Sequence, residues 1–194
     1  MYDYISGKIT HATATYIVVE ANGVGYQLQV SLQTYSKLKD AQSAKVYAHL
    51  SIKEDAHLLF GFADEDERQL FRNLISVSGV GPGTARVMLS SLSTTELQSA
   101  ITTGNVAVIK KIKGIGDKTA QRIVIDLKDK LGKAGASAPV LLTQGNTIKE
   151  EALSALLTLG FNRNVAEKEL NKVMAGGGEF QSVEVLLREA LKNL

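Results

Sequence analysis

A nine-residue stretch occurs twice in this chain: Val77-Ser78-Gly79-Val80-Gly81-Pro82-Gly83-Thr84-Ala85, and again Ile112-Lys113-Gly114-Ile115-Gly116-Asp117-Lys118-Thr119-Ala120. Each reads as a bend between two helices. A Gly-apolar-Gly turn lets the backbone take positive φ and approach another surface closely, and it feeds the chain into a helix whose first amides lack intrahelical acceptors. Those amides and the positive end of the helix dipole make an anion site, and the foremost candidate anion is a nucleic-acid phosphate. One Gly-x-Gly is weak evidence, because tight turns of any kind use glycine. The second copy, however, repeats the apolar residue between the glycines, the Thr-Ala pair that opens the next helix, and the apolar residue ahead of the bend. Chance is a poor explanation for that degree of match.

The flanks support a helical reading. Asp64-Glu65-Asp66-Glu67 reads as a helix start, with Asp64 as cap, Glu67 completing a capping box and acidic charge on the favourable end of the dipole. Leu70, Phe71, Leu74 and Ile75 follow at helical spacing; Ala85, Met88, Leu89 and Leu92 continue it after the first bend, with Pro82 where a missing N–H is tolerated. Ser93 or Thr94 starts another helix, Ala107 to Ile112 gives a short one, and Ala120, Ile123, Val124, Leu127 and Leu131 mark one face of the last. An all-helical domain over 64–133 is expected.

Residues 1–63 read differently, as short strands without helices. Ile5, Gly7 and Ile9 alternate with polar neighbours, Tyr16 to Val19 is largely β-branched, and the turn dipeptide Asn22-Gly23 precedes Tyr26, Leu28 and Val30. Val46, Ala48, Leu50 and Ile52 then lead into Leu58 to Phe62. The pattern alone fits either a small barrel of the OB type or a half-open β sandwich. Glu54 and Asp55 fall at the tip of the last hairpin. As a polar turn they need no further account, and as adjacent turn residues they point apart, which argues against paired acid–base chemistry.

Gly132 to Pro139, extended to Gly145, has the composition of a linker, and 134–145 is expected to be a flexible tether with ends on the order of 20 Å apart. Val140, Leu141 and Leu142 interrupt it. A last domain over 146–194 opens on a capping box of Thr147 and Glu150, carries Leu153, Leu156, Leu157, Leu159, Phe161, Val165, Leu170 and Val173, breaks at Gly176-Gly177-Gly178, and ends on a helix capped by Ser182 and bearing Val185, Leu186, Ala190 and Leu191.

Composition mainly excludes. Zero cysteines rule out disulfides, Fe–S clusters and thiolate zinc, and the three histidines, His11, His49 and His57, do not stand at metal-ligand spacing. No metal site, catalytic residue or cofactor is expected: there is no P-loop and no Gly-x-Ser-x-Gly elbow, and Thr84 stands where a Gly-x-Gly-x-x-Gly motif needs its third glycine. Met1-Tyr2-Asp3-Tyr4 is not a signal peptide and no run approaches the roughly 18 apolar residues of a membrane span. A soluble, cytoplasmic chain is expected. The net charge of +2 is too small to announce nucleic acid, but Lys110, Lys111, Lys113, Lys118, Arg122, Lys128, Lys130 and Lys133 crowd around the second bend.

Both bends resemble the helix-hairpin-helix motif, and tandem copies behind a small β domain resemble the RuvA family of bacterial Holliday junction proteins along nearly the whole chain. The resemblance implies an N-terminal OB barrel, a tandem helix-hairpin-helix domain and a small C-terminal three-helix, UBA-like domain. It implies a non-catalytic subunit that binds four-way junction DNA as a homotetramer, with an octamer left open. Its partners would be a RuvB-type AAA+ ring motor that uses ATP and, as a further candidate, a RuvC-type resolvase. DNA contacts would fall on Gly79, Val80, Gly81, Pro82, Gly83, Thr84, Gly114, Ile115, Gly116, Asp117, Lys118 and Thr119, assisted by Lys110, Lys111 and Arg122. Glu54 and Asp55 would be an acidic pin at the crossover, and Leu156, Leu159 and Phe161 the motor contact.

The sequence departs from the family at Gly83 and Asp117, positions where a basic residue is common. A rival reading is a glycosylase-lyase that also uses this motif with a lysine inside the hairpin. Lys118 falls at a comparable place, but Ala136 stands where such an enzyme would carry its aspartate, and no base-flipping pocket domain of adequate size is present.

Overall fold

Alternation of inward apolar and outward polar residues builds five strands: β1 (Tyr4–Ala12), β2 (Tyr16–Ala21), β3 (Val24–Val30), β4 (Ser43–Ile52) and β5 (His57–Phe62). They close into a barrel in the order β1-β2-β3-β5-β4, antiparallel throughout except for the parallel β3–β5 pair. Closure decides for the barrel over the open sandwich. Ile5, Ile17, Val19, Leu28, Val30, Val46 and Ala48 fill the interior. Asn22 and Gly23, with φ of 50° and 80°, form the two-residue turn between Ala21 and Val24, the geometry whose twist matches paired strands. In this computed structural model, residues 2–135, 144–175 and 182–194 are described.

One expectation fails inside the barrel. A helix, α1 (Leu32–Leu38), connects β3 to β4, where only strands were anticipated. Ser31 caps it by accepting the Thr34 amide at 3.0 Å, and seven residues are too few for hydrophobic period to distinguish helix from strand.

The helical layer follows as α2 (Glu65–Ile75), α3 (Pro82–Ser91), α4 (Thr94–Thr102), α5 (Val106–Lys110) and α6 (Asp117–Gly135). Its core gathers Leu70, Phe71, Leu74, Met88, Leu89, Leu97, Ile101, Ile109, Ile123 and Leu127. Phe60 and Phe62 of β5 belong to the same core, with ring centroids 5.1 Å and 4.9 Å from Phe71. Barrel and helical layer are therefore one compact unit, Met1–Ala136.

The start of α2 also differs from expectation. Asp64 does cap it, accepting the Glu67 amide at 2.9 Å. The Glu67 side chain does not return to close a capping box; it is buried and accepts hydrogen bonds from the hydroxyls of Ser31 and Thr34. The reciprocal box forms instead at α4, between Ser93 and Glu96.

The second unit, Ser137–Leu194, contains α7 (Gln144–Thr158), α8 (Arg163–Ala175) and α9 (Val183–Leu191) around Ala152, Leu156, Ala166, Leu170, Leu186 and Ala190. Here α7 begins at Gln144, so Thr147 lies inside it and not at its cap. The expected linker 134–145 overlaps both neighbours, since α6 runs to Gly135. Its central part with Val140, Leu141 and Leu142, like the glycines at 176–178, lies outside the described residues. Ser182 caps α9 as expected, through the Val185 amide at 3.4 Å.

Candidate nucleic-acid interface

The two bends match hydrogen bond for hydrogen bond, 35 residues apart as Gly79 and Gly114 are. In the first, Val77 N donates to Leu74 O, Val80 N to Val77 O and Ala85 N to Gly81 O; in the second, Ile112 N donates to Ile109 O, Ile115 N to Ile112 O and Ala120 N to Gly116 O. Gly79 and Gly114 take φ of 91° and 89°, the left-handed conformation that glycine adopts without steric cost. The apolar residues Val77, Val80, Ile112 and Ile115 point down and are buried, pinning each bend to the core. Val80 and Ile115 therefore offer main chain alone to anything above them.

What remains outside is backbone. Gly79, Gly81, Gly83, Gly114 and Gly116 are exposed, and a Cβ added at any of them would meet nothing within 4 Å among the described residues. Gly81, with φ of −86°, caps α3 without a side-chain hydrogen bond. Neither backbone geometry nor internal packing demands glycine at Gly81 or Gly116. The amides of Gly83 and Thr84, and of Asp117, Lys118 and Thr119, precede the first intrahelical bonds of α3 and α6 and have no backbone acceptor among the described residues. They are orphan donors at the positive end of a helix.

The charges differ between the bends. Around the second, Lys111, Lys113, Lys118 and Arg122 are exposed, with no carboxylate at ion-pair distance among the described residues. Lys110 is different: its Nζ lies 2.6 Å from Asp117 Oδ1, bridging the last residue of α5 and the first of α6. Around the first bend the corresponding positions are Ile75, Ser76, Ser78, Gly83 and Val87, none of them basic. Arg122 joins the two, its Nη1 lying 3.5 Å from the Ser78 carbonyl oxygen.

Two arginines that the sequence pattern did not single out position this layer. Arg86 on α3 donates to Thr15 O at 3.1 Å and to Gln29 Oε1 at 2.7 Å, both on the barrel. Arg68 on α2 is buried and reaches Asp3 Oδ1 at 2.6 Å and the Ala48 carbonyl at 3.3 Å. Apart from Glu65, which pairs with Arg68 three residues away, each partner is distant in sequence, so local patterning held no trace of these ties to the barrel.

Glu54 and Asp55 lie where expected, exposed at the β4–β5 tip, in a turn closed by Lys53 N donating to Ala56 O at 2.9 Å. The C-terminal trio does not stay together. Leu156 is fully buried, a core residue and not a contact surface. Phe161 is half-buried against the same core: Gly160, with φ of 96°, ends α7, and Phe161 N donates to Leu156 O at 3.1 Å. This is a helix C-cap in which the residue after the glycine turns back onto the last helical turn. Leu159 alone is open, at 60% exposure. Val185 and Leu191 are also exposed, and Leu191 borders a groove of about 480 Å³ along α9 with Val183, Leu187, Arg188 and Lys192.

Among the described residues no cluster of three His, Cys, Asp or Glu could hold a metal, and no helix is long and apolar enough to cross a membrane. Lys118 is exposed on the first turn of α6; Ala136, the other position the lyase reading turns on, lies outside the described residues.

A closed five-stranded barrel sharing a core with two bends of matching hydrogen-bond pattern, followed in the chain by a three-helix unit, defines the class of tandem helix-hairpin-helix proteins with an N-terminal OB-type barrel. Family models match in the same order: the RuvA N terminal domain over residues 1–61, the SAM-like helix-hairpin-helix tandem over 71–129 and the RuvA C-terminal domain over 147–194. Proteins described as Holliday junction branch migration complex subunit RuvA are similar from end to end. Those of Christiangramia forsetii (48% identical, covering 100% of both chains), Cytophaga hutchinsonii (48%, 99% of both) and Bacteroides fragilis (42%, 100% of both) are examples. The chain belongs to the RuvA family of branch migration complex subunits.

Proposed function

We propose that this chain binds four-way DNA junctions as a homotetramer, holds the crossover open, and presents the arms to an ATP-driven ring motor of the RuvB type in recombination and repair. The observation that carries the reading is the pair of open glycine bends. Gly81 and Gly116 are required by nothing among the described residues, whereas a strand laid across the bends needs bare backbone there. Phosphates are held by the orphan amides at the starts of α3 and α6, with Lys111, Lys113 and Lys118 adding charge at the second bend and Arg122 reaching between the two.

Contacts of this kind read the backbone, so selectivity is for the shape of the junction and not for base sequence. Four chains provide four arms with paired grips, and Glu54 and Asp55 repel phosphates at the centre, keeping the exchanging strands apart. The chain has no chemistry of its own to perform in this scheme; ATP is consumed by the partner. The C-terminal unit offers Leu159 and the α9 groove as the docking surface for that partner. A RuvC-type resolvase would meet the face of the junction left uncovered.

The deciding experiment is a gel shift comparing four-way, three-way and linear DNA at several salt concentrations. The four-way junction binds most tightly, and with about four to eight cation-assisted phosphate grips its affinity falls by roughly 10² to 10⁴ between 50 and 200 mM salt. Equal affinity for linear duplex, or a nearly salt-independent junction affinity, overturns the reading.

A further inference from the structure

We infer that Asp117 is a built-in competitor for the phosphate at the second bend, and that with Lys110 it sets how firmly this bend holds DNA. The inference rests on the junction-binding reading and concerns the regulation of that same site. Asp117 is the first residue of α6, so its carboxylate shares the helix end whose orphan amides receive the phosphate. A negative group there is favourable for the helix and unfavourable for a second anion arriving at the same amides. Lys110 Nζ, 2.6 Å from Asp117 Oδ1, offsets that charge in the free protein.

Both side chains are more than half exposed, at 53% and 64%, so the pair can open when a phosphate competes for the lysine. The corresponding positions at the first bend are Ile75 and Pro82, which carry no charge to exchange. The first bend therefore holds by its amides with only Arg122 nearby, and the second adds to its unpaired cations one that must change partners. Such a grip is weaker than the number of surrounding lysines implies, and it releases faster. For a subunit through which DNA has to slide, a firm static hold at every phosphate would oppose each step.

The test uses the full-length protein and a synthetic four-way junction, comparing wild type, Asp117→Asn and Asp126→Asn between 50 and 200 mM salt. Asp126 is exposed further along α6, so its substitution makes the same change in net charge away from the bend. Asp117→Asn is expected to bind the junction at least about threefold more tightly at 50 mM salt and to dissociate more slowly. Its log K against log salt plot is expected to be steeper by up to about 0.9 for each bend that gains the released lysine. Asp126→Asn changes these quantities little. Asp117→Ser, another residue favoured near a helix start, reproduces the Asp117→Asn result and separates it from any effect on folding.

Binding by Asp117→Asn that is no tighter than wild type, or tightening that Asp126→Asn matches, overturns the competitor role while leaving junction binding intact. A wild-type protein with no hold on the junction at 50 mM salt overturns both readings together.

Discussion

The carboxylate of Glu67, in the first turn of α2, accepts a hydrogen bond from the Thr34 hydroxyl at 2.7 Å and joins the helical layer to the helix carried by the barrel. Ser31 donates to the same carboxylate. Glu67→Ala strands both hydroxyls in a buried site, and a loss of about 2 kcal/mol in urea unfolding is expected. Glu67→Gln retains an acceptor and costs less. Burial holds the Glu67 carboxyl above its usual value of 4.5. The folded state thus binds the extra proton from there up to the raised pKa, and wild-type stability relative to Glu67→Gln declines as pH rises through that window.

His49 gives the opposite sign. It is half-buried with its ring 5.4 Å from Phe71 and its Nδ1 without a hydrogen-bond partner among the described residues. Burial first, then Arg72 and Arg68, hold its pKa below the usual 6.5. The unfolded chain therefore takes up a proton before the folded one does, and stability falls as pH drops from 6.5 to the lowered value. Melting curves at pH 7.5 and 5.5 are expected to show a larger drop for wild type than for His49→Phe. Equal drops would mean the imidazole is not kept neutral by its surroundings.

The bends are tested by bulk. Thr is about as good as Gly at a helix N-cap, so Gly81→Thr with Gly116→Thr leaves folding stability within about 0.5 kcal/mol. The added side chains stand in open space directly before the orphan amides. Junction affinity is expected to drop at least about tenfold, equivalent to about 1.4 kcal/mol. Unchanged affinity in a well-folded double variant would place the DNA elsewhere.

At the β4–β5 tip, Glu54→Gln with Asp55→Asn is expected to remove the proposed repulsion. Ordinary duplex then binds better and the junction-to-duplex ratio falls, as read by competition gel shift. A ratio equal to that of wild type removes the pin from the scheme.

Deletion of residues 146–194 leaves the barrel and both bends in place. Junction binding is expected to persist, while stimulation of the motor in a strand-exchange assay is lost. Leu159→Asp in the full chain reproduces the second effect alone, because Leu159 is exposed and Leu156 is not. Loss of junction binding in the truncated protein would show that the C-terminal unit does more than recruit.

Much of this was legible in the sequence wherever a local rule decides. The barrel strands follow from period-two alternation, the bends from their own duplication, and the caps at Asp64, Ser93 and Ser182 from residue type. The misreadings occur where the deciding partner is far away in the chain. Glu67 matches a capping box locally, but Ser31 and Thr34, more than thirty residues earlier, take its carboxylate. Leu156, Leu159 and Phe161 look alike in a list of apolar residues, and only the turn at Gly160 sorts them into core, surface and cap. Lys110 reads as one more lysine of a basic cluster until the bend folds Asp117 against it.

The sharing of Phe60 and Phe62 between strand and helix has a mechanical corollary. The same β5 that runs back from the acidic tip is embedded in the core on which both glycine bends are seated. In the proposed scheme, the place that would repel strands and the places that would hold them are mounted on one frame, so their spacing would work as a gauge: a duplex arm drawn along the bends would meet the divider after a set number of base pairs.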